Sequence, residues 1–135
     1  MSTNGKPPFR VHHVRELTET TYVIRVDRHE VPARAGQCAT VGVAGAGVNR
    51  EYSLYSGDHE PYFDFLIKEV GQVSGALRRC RAGDAVDLDG PYGRFVIERP
   101  DDASRRYLFI ATGVGIAPFH GFVSSYPGLE YTLVH

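Results

Sequence analysis

The stretch Tyr107-Leu108-Phe109-Ile110-Ala111-Thr112-Gly113-Val114-Gly115-Ile116-Ala117-Pro118-Phe119 runs from an apolar segment through a glycine turn into a proline-marked helix start. A near-continuous apolar run such as Tyr107 to Ala111 is the pattern of a parallel strand buried on both faces. Gly113 and Gly115 carry no Cβ, so the backbone can take unusual angles there and a ligand can approach it closely. Pro118 suits the first turn of a helix, where a missing N–H costs nothing. A helix entered through such a turn presents unpaired amides and the positive end of its dipole, which favour an anion such as phosphate. The Gly-x-Gly-x-x-Gly fingerprint is incomplete because Pro118 stands where its third glycine would be. Taken alone, the turn therefore also reads as a plain connection between a core strand and a core helix.

Around this turn the pattern predicts a strand over Tyr107–Thr112, a helix over about Ala117–Ser125 and a second strand over Leu129–His135. Such a unit implies a right-handed crossover and a parallel strand pair. Two parallel strands make a poor independent sheet, so the unit must lean on the rest of the chain or on another chain, or be the stump of a larger domain. An exposed apolar surface is expected there, with a homodimer, a partner chain or a disordered C-terminus as its consequence.

Toward the N-terminus, Val11–Leu17, Thr21–Asp27, Ala39–Val43, Glu51–Tyr55, Tyr62–Glu69 and Ala85–Leu88 read as short strands separated by turn residues. Six such strands suggest a small antiparallel barrel. One helix is expected inside it, with Ser74 as N-cap, Ala76, Leu77 and Cys80 on the inward face, and Gly83 as the stop. The turns from Gly90 to Phe95 and the polar stretch Arg99–Asp102 mark a boundary. The expected organisation is a flexible tail over 1–8, a barrel domain over 9–100 and a partial β-α-β unit over 101–135.

Composition narrows the function classes. With 135 residues and a net charge of -1, the chain has no general electrostatic attraction to nucleic acid or to an anionic membrane surface. No apolar run approaches the roughly 20 residues that span a bilayer. The first residues lack the apolar region of a secretory signal. Cys38 and Cys80 make neither a CxxC pair nor a disulfide framework, so buried reduced thiols in a cytoplasmic protein are expected. Arg78, Arg79, Arg94, Arg105 and Arg106 read as a solvated surface.

Two further motifs precede the glycine turn. Arg50-Glu51-Tyr52-Ser53 opens a strand, so Arg50 and Tyr52 share one face while Glu51 and Ser53 share the other. Arginine can fork onto a phosphate, tyrosine offers a ring for stacking and a hydroxyl for a polar chain, and serine adds a small donor. Gly71-Gln72-Val73-Ser74 lies where a strand gives way to the helix, again a place for an anion. Each motif also has a bland explanation, as an exposed arginine beside a core tyrosine or as an ordinary capped turn.

The ordered set, completed by Thr112-Gly113-Val114-Gly115-Ile116-Ala117-Pro118 and the linker Gly90-Pro91-Tyr92-Gly93-Arg94-Phe95, resembles the ferredoxin–NADP reductase superfamily. The resemblance implies a mainly β fold: a six-stranded antiparallel Greek-key flavin-binding barrel with one helix, followed by an incomplete nucleotide-binding β-α-β unit. It implies FAD as cofactor, with FMN the less favoured alternative, and NAD(P)H as co-substrate. Arg50 would meet the flavin pyrophosphate, Tyr52 the isoalloxazine and ribityl chain, and Ser53 the hydride-exchanging N5. Gly71, Ser74 and the backbone of Val73 would complete the pyrophosphate site. Main chain at Leu66, Ile67 and Lys68 would line the adenine, and Thr112, Gly113 and Gly115 would face the nicotinamide dinucleotide. Ser53 and Tyr52 are the implied catalytic residues, and a ferredoxin, a flavodoxin or another acceptor is the implied partner. Family members run on for about another hundred residues, close to one more domain. A flavin-binding module without its own NAD(P)H activity and a cofactor-free interaction barrel both stay open.

Overall fold

The computed structural model describes residues 7–135, so the expected tail lies outside the described residues except for Pro7 and Pro8. The elements are β1 (Phe9–Glu16), β2 (Thr21–Asp27), β3 (Cys38–Val43), β4 (Arg50–Ser53), β5 (Tyr62–Lys68), α1 (Gln72–Arg78), β6 (Ala85–Tyr92), β7 (Tyr107–Ile110), α2 (Ala117–Ser125) and β8 (Tyr131–Val134). A 3-10 turn, Gly113–Ile116, leads into α2. Among the described residues no helix is long and apolar enough to cross a membrane.

The first six strands form one antiparallel sheet in the order β4-β3-β6-β1-β2-β5. An antiparallel bridge between Leu54 and Phe65 joins the two ends and closes the barrel. Its interior holds Val11, Ile24, Val41, Phe63, Phe65 and Ile67, and α1 contributes Val73 and Leu77. Alternation along β2 accounts for Tyr22, Ile24 and Val26 inside the barrel, yet Val23 is also fully buried. The reason is tertiary: Val23 and Leu66 face outward beneath Ala117 of α2, in a second apolar cluster.

Several expectations shift. Helix α1 begins one turn earlier than the reading that made Ser74 its cap: Gly71 is the N-cap and Ser74 the third helical residue. The inward positions are Val73 and Leu77, with Cys80 partly buried and packed on the core, while Ala76 is only half-buried. Gly83 does not stop the helix, which ends at Arg78; Gly83 sits in the following turn and donates its N–H to the Val11 carbonyl. Strand β6 runs on to Tyr92, through the expected start of the linker, because Cys38 of β3 continues to pair with it. Arg78 is not a solvated surface charge: it reaches Glu16, Glu69 and the Glu19 carbonyl at 3.1, 3.0 and 2.7 Å, tying α1 to the barrel rim. Both cysteines are free and partly exposed rather than buried.

The largest correction concerns β7, expected to be buried on both faces. Only Phe109 is buried there, while Leu108 and Ile110 are 61% and 66% exposed. Strands β7 and β8 pair in parallel as expected, but they form a sheet of two, and α2 covers only one of its faces.

Helix α2 docks on the barrel by close backbone approach. A Cβ at Gly121 would meet the Ser56 carbonyl at 2.9 Å, and one at Gly57 would meet Ser125 Oγ at 2.8 Å. Asp58 fastens the same end of α2. Its carboxylate accepts from the Ala35 amide and from Tyr126 Oη at 2.8 Å, and its amide donates to Ser125 Oγ at 2.8 Å. Below the helix, Gly36 has φ +95, and a Cβ there would fall 1.7 Å from the Phe95 carbonyl and 2.7 Å from the Phe122 ring.

Gly36→Ala should therefore lower unfolding stability by about 3 kcal/mol, from left-handed strain plus overpacking, as read by urea denaturation. A second prediction concerns acid. Burial alone would push the Asp27 carboxyl up, but bonds from His12 and the Arg10 amide outweigh it and hold the group below its ordinary 3.8. A depressed carboxylate stabilises the fold above its unfolded-state pKa, and this is lost as the pH falls through the folded value. The stability advantage of wild type over Asp27→Asn should be present at about pH 6 and shrink below about pH 4 in parallel denaturation curves.

Candidate functional site

Strand β4 pairs Tyr52 with Ala39 and Arg50 with Val41, both fully buried core residues. Cross-strand partners share a face, so Arg50 and Tyr52 lie on the barrel's inward-facing side, at its rim. Tyr52 is half-buried and packs against the core cluster that contains Val73 of α1. Burial pushes the Tyr52 phenol up from its ordinary range, and the nearby Arg50 charge partly opposes the shift. Arg50 is exposed and, among the described residues, commits one donor, to the Asn49 carbonyl at 3.0 Å. Its remaining donors are open to an anion.

The start of α1 lies beside this pair. Tyr22, buried in the barrel, donates its hydroxyl to the Ser74 carbonyl at 2.6 Å. Its phenol is pushed up by burial first and by the adjacent Tyr52 second. Tyr52 and the first turn of α1 are thus brought together, with Arg50 on the same face of β4 as Tyr52. The N-cap Gly71 supplies no side-chain acceptor, so the amides opening the helix keep their free direction. A Cβ on Gly71 would meet nothing within 4 Å, which leaves its backbone open to close approach.

The Ser74 side chain, expected at the pyrophosphate site, is engaged with its own backbone in this structure. Its Oγ is turned back into the chain, accepting from the Val70 and Gly71 amides at 2.8 and 3.1 Å. This reach from the third helical residue to the cap backbone holds the turn shut. Of the adenine-side residues, Leu66 and Ile67 are buried, with Ile67 inside the barrel core, so only their main chain is available; Lys68 is exposed.

Ser53 faces the opposite way from Tyr52, as alternation requires. It pairs with Cys38, which in turn pairs with Tyr92. Tyr92 donates to Glu51 at 2.8 Å, and that bond, with burial second, pushes its phenol up to about 12. Burial first and Glu51 second push the Cys38 thiol up as well, which disfavours the reactive thiolate.

The glycine turn is held on the outer face of β2 and β5. Gly113 has φ +53, a value that glycine takes without strain, and Thr112 precedes it in extended conformation and exposed. Gly115 has open space where a Cβ would stand. Val114 and Ile116 pack on the Val23, Leu66 and Ala117 cluster together with Tyr55. Tyr55 stacks on His120 of α2, a contact no motif announced, since neither residue belongs to one. Asp58 was equally invisible in the sequence, because its partners are 23 and 68 residues away.

A cleft of about 590 Å³ lies elsewhere, lined by Phe95, Ile97, Tyr107, Phe109, Phe119 and Phe122. It contains none of the expected site residues and runs along β7 and α2, where the Tyr107 hydroxyl is buried without a partner among the described residues.

Removing the Ser74 hydroxyl tests its backbone role. Ser74→Ala should lower stability by about 1 kcal/mol in chemical denaturation, the usual worth of such a cap contact.

The sequence from 11 to 97 matches the model of the oxidoreductase FAD-binding domain. The chain is 34% identical over 98 residues to the 2-halobenzoate 1,2-dioxygenase electron transfer component of Burkholderia cepacia, covering 70% of this chain and 28% of that protein. It is 31% identical over 115 residues to the toluate 1,2-dioxygenase electron transfer component of Pseudomonas putida, covering 81% of this chain and 33% of the relative. The chain thus spans about a third or less of these relatives. Among solved structures, a cytochrome P450 reductase of Amycolatopsis superposes with a TM-score of 0.81 at 26% identity, over 93% of this chain and 41% of that one. A ferredoxin–NADP reductase of Neisseria gonorrhoeae, described with bound FAD and NADP, superposes at 0.79 and 21% identity, over 95% and 58%, and bears on the fold. A match over residues 11–97, motifs in family order and a closed six-stranded barrel place the chain in the oxidoreductase FAD-binding domain family, within the ferredoxin–NADP reductase superfamily.

Proposed function

We propose that this chain is the flavin-holding part of an NAD(P)H-dependent electron-transfer reductase, with residues 9–100 as the FAD-binding domain and 101–135 as the start of its nucleotide side. One observation carries this: on one face of β4, an exposed arginine that gives one donor to the Asn49 carbonyl stands beside a half-buried tyrosine ring, and that ring packs on the cluster that includes Val73 in the first turn of α1. A guanidinium and helix-terminal amides suit a pyrophosphate, and the ring suits a flat heterocycle.

In this assignment Arg50 and the amide of Val73 hold the pyrophosphate, Gly71 lets it approach, and Ser74 keeps the turn in shape. Tyr52 orients the isoalloxazine, Ser53 marks the N5 side, and main chain at Leu66, Ile67 and Lys68 receives the adenine, which favours FAD over FMN. Thr112, Gly113 and Gly115 receive NAD(P)H. When bound, FAD supplies hydride acceptance from the reduced nicotinamide and release of single electrons. The chain's residues bind and align the two cofactors and keep bulk water from the ring faces they cover. A ferredoxin, a flavodoxin or a related acceptor is the proposed recipient, in line with the electron-transfer names of the relatives. The free cysteines are in keeping with a cytoplasmic location.

A second reading is a flavin module that works with another polypeptide or a second copy. The exposed Leu108 and Ile110 on the two-stranded sheet favour it, as an apolar face that association would cover.

The test is an absorbance titration with FAD, followed by anaerobic NADPH and then NADH. Yellow protein bleached by either nucleotide supports the reductase; yellow protein that stays oxidised supports the module; colourless protein overturns both. Arg50→Ala should weaken FAD binding by about thirtyfold, the equivalent of about 2 kcal/mol for lost charged hydrogen bonds.

A further inference from the structure

We propose that Tyr55 and His120 form a positioning latch that sets the strand carrying Ser53 against the nucleotide-side turn. The two rings lie 3.7 Å apart between centroids and only 6° from parallel. His120 Nδ1 is 2.7 Å from the Tyr55 carbonyl. A carbonyl only accepts, so Nδ1 carries the proton, and stacking plus this bond lock both the orientation and the tautomer of the imidazole.

Each partner stands next to one side of the site. Tyr55 follows Ser53 by two residues along the chain, and His120 follows the end of the Gly113–Ile116 turn by four. Tyr55 also rests on the Val23, Leu66 and Ala117 cluster that seats Val114 and Ile116. The other polar anchor of α2, Asp58 with Ser125 and Tyr126, is at the far end of the helix, roughly 8 Å along its axis by helical rise. The Gly113 carbonyl meets His135 Nε2 at 3.1 Å, which ties the turn to the end of β8 and not to the barrel; against the barrel, among the described residues, the turn end of α2 without His120 is held by apolar packing, which resists separation but not sliding. His120 is exposed, so its contribution is geometry rather than core burial. Misplacing reacting groups by about 1 Å can cost on the order of a hundredfold in rate.

The latch itself rests on geometry alone, and its catalytic meaning rests on the function proposed above, so the experiment has two arms. The first reads amide hydrogen exchange at residues 113–117 in the ligand-free chain. His120→Ala should speed exchange there by about tenfold with barrel amides unchanged, and His120→Phe, which keeps the stack, should restore part of the protection. Exchange that is unchanged, or that rises equally in the barrel, overturns the latch. The second arm reads FAD affinity and the rate of flavin reduction by NAD(P)H. His120→Ala should leave affinity within about twofold while slowing reduction by about tenfold or more. A rate loss matched by a loss of affinity, or no rate loss, overturns the positioning role. If the wild type binds no flavin or is not reduced by NAD(P)H, the reductase proposal fails, and the exchange arm alone decides whether the latch exists.

Discussion

The close approach of α2 to the barrel is the constraint on which the rest of this structure depends. At Gly121 and Gly57 the helix and the loop after β4 come so near that a Cβ on either glycine would press on its neighbour. That approach fills the outer face of β2 and β5, which is why Val23 and Leu66 are buried outside the barrel as well as their neighbours within it. It also lets a two-stranded parallel sheet exist in a single chain. Strands β7 and β8 could not hold themselves, but Phe109 is covered by Phe122, and Phe122 lies in one cluster with Ala35 and Ile97.

Packing on one side sets the character of the other. One face of β7 is committed to α2, while Leu108 and Ile110 face outward with nothing over them, and β8 is exposed throughout. Tyr107 shares the α2-facing side with Phe109, and its buried hydroxyl has no partner among the described residues, beside an aromatic cleft that runs along β7 and α2. The residues suited to a flavin lie at a rim of the barrel and line no part of this cleft.

At that rim, strand alternation divides the labour. Arg50 and Tyr52 point with the core-facing residues of β3, beside the start of α1, while Ser53 and Glu51 point with Cys38 and Tyr92. One short strand therefore offers an anion-binding and stacking face on one side and a small polar group on the other. Ser74 keeps the neighbouring turn closed through its own backbone bonds, so the open amides of α1 rather than its hydroxyl are what this turn presents.

Local pattern was enough for the six barrel strands, the helix over Ala117–Ser125, the parallel pair, the opposite facing of Tyr52 and Ser53, and the family resemblance, because alternation, turn residues and motif order are properties of neighbouring residues. It was also enough to anticipate an exposed apolar face, since two parallel strands cannot cover themselves. It could not distinguish Ser74 as a cap from Ser74 as a clamp, because the two differ by a shift of the helix start that only the backbone path decides. It misjudged β7, whose apolar run is the same whether or not a second layer lies over Leu108 and Ile110. The stack of Tyr55 on His120 and the reach of Asp58 to Ala35 and Tyr126 join residues 23 to 68 positions apart. Such contacts leave no periodic trace in a sequence, and only the folded chain, by bringing α2 down on the barrel, could create them.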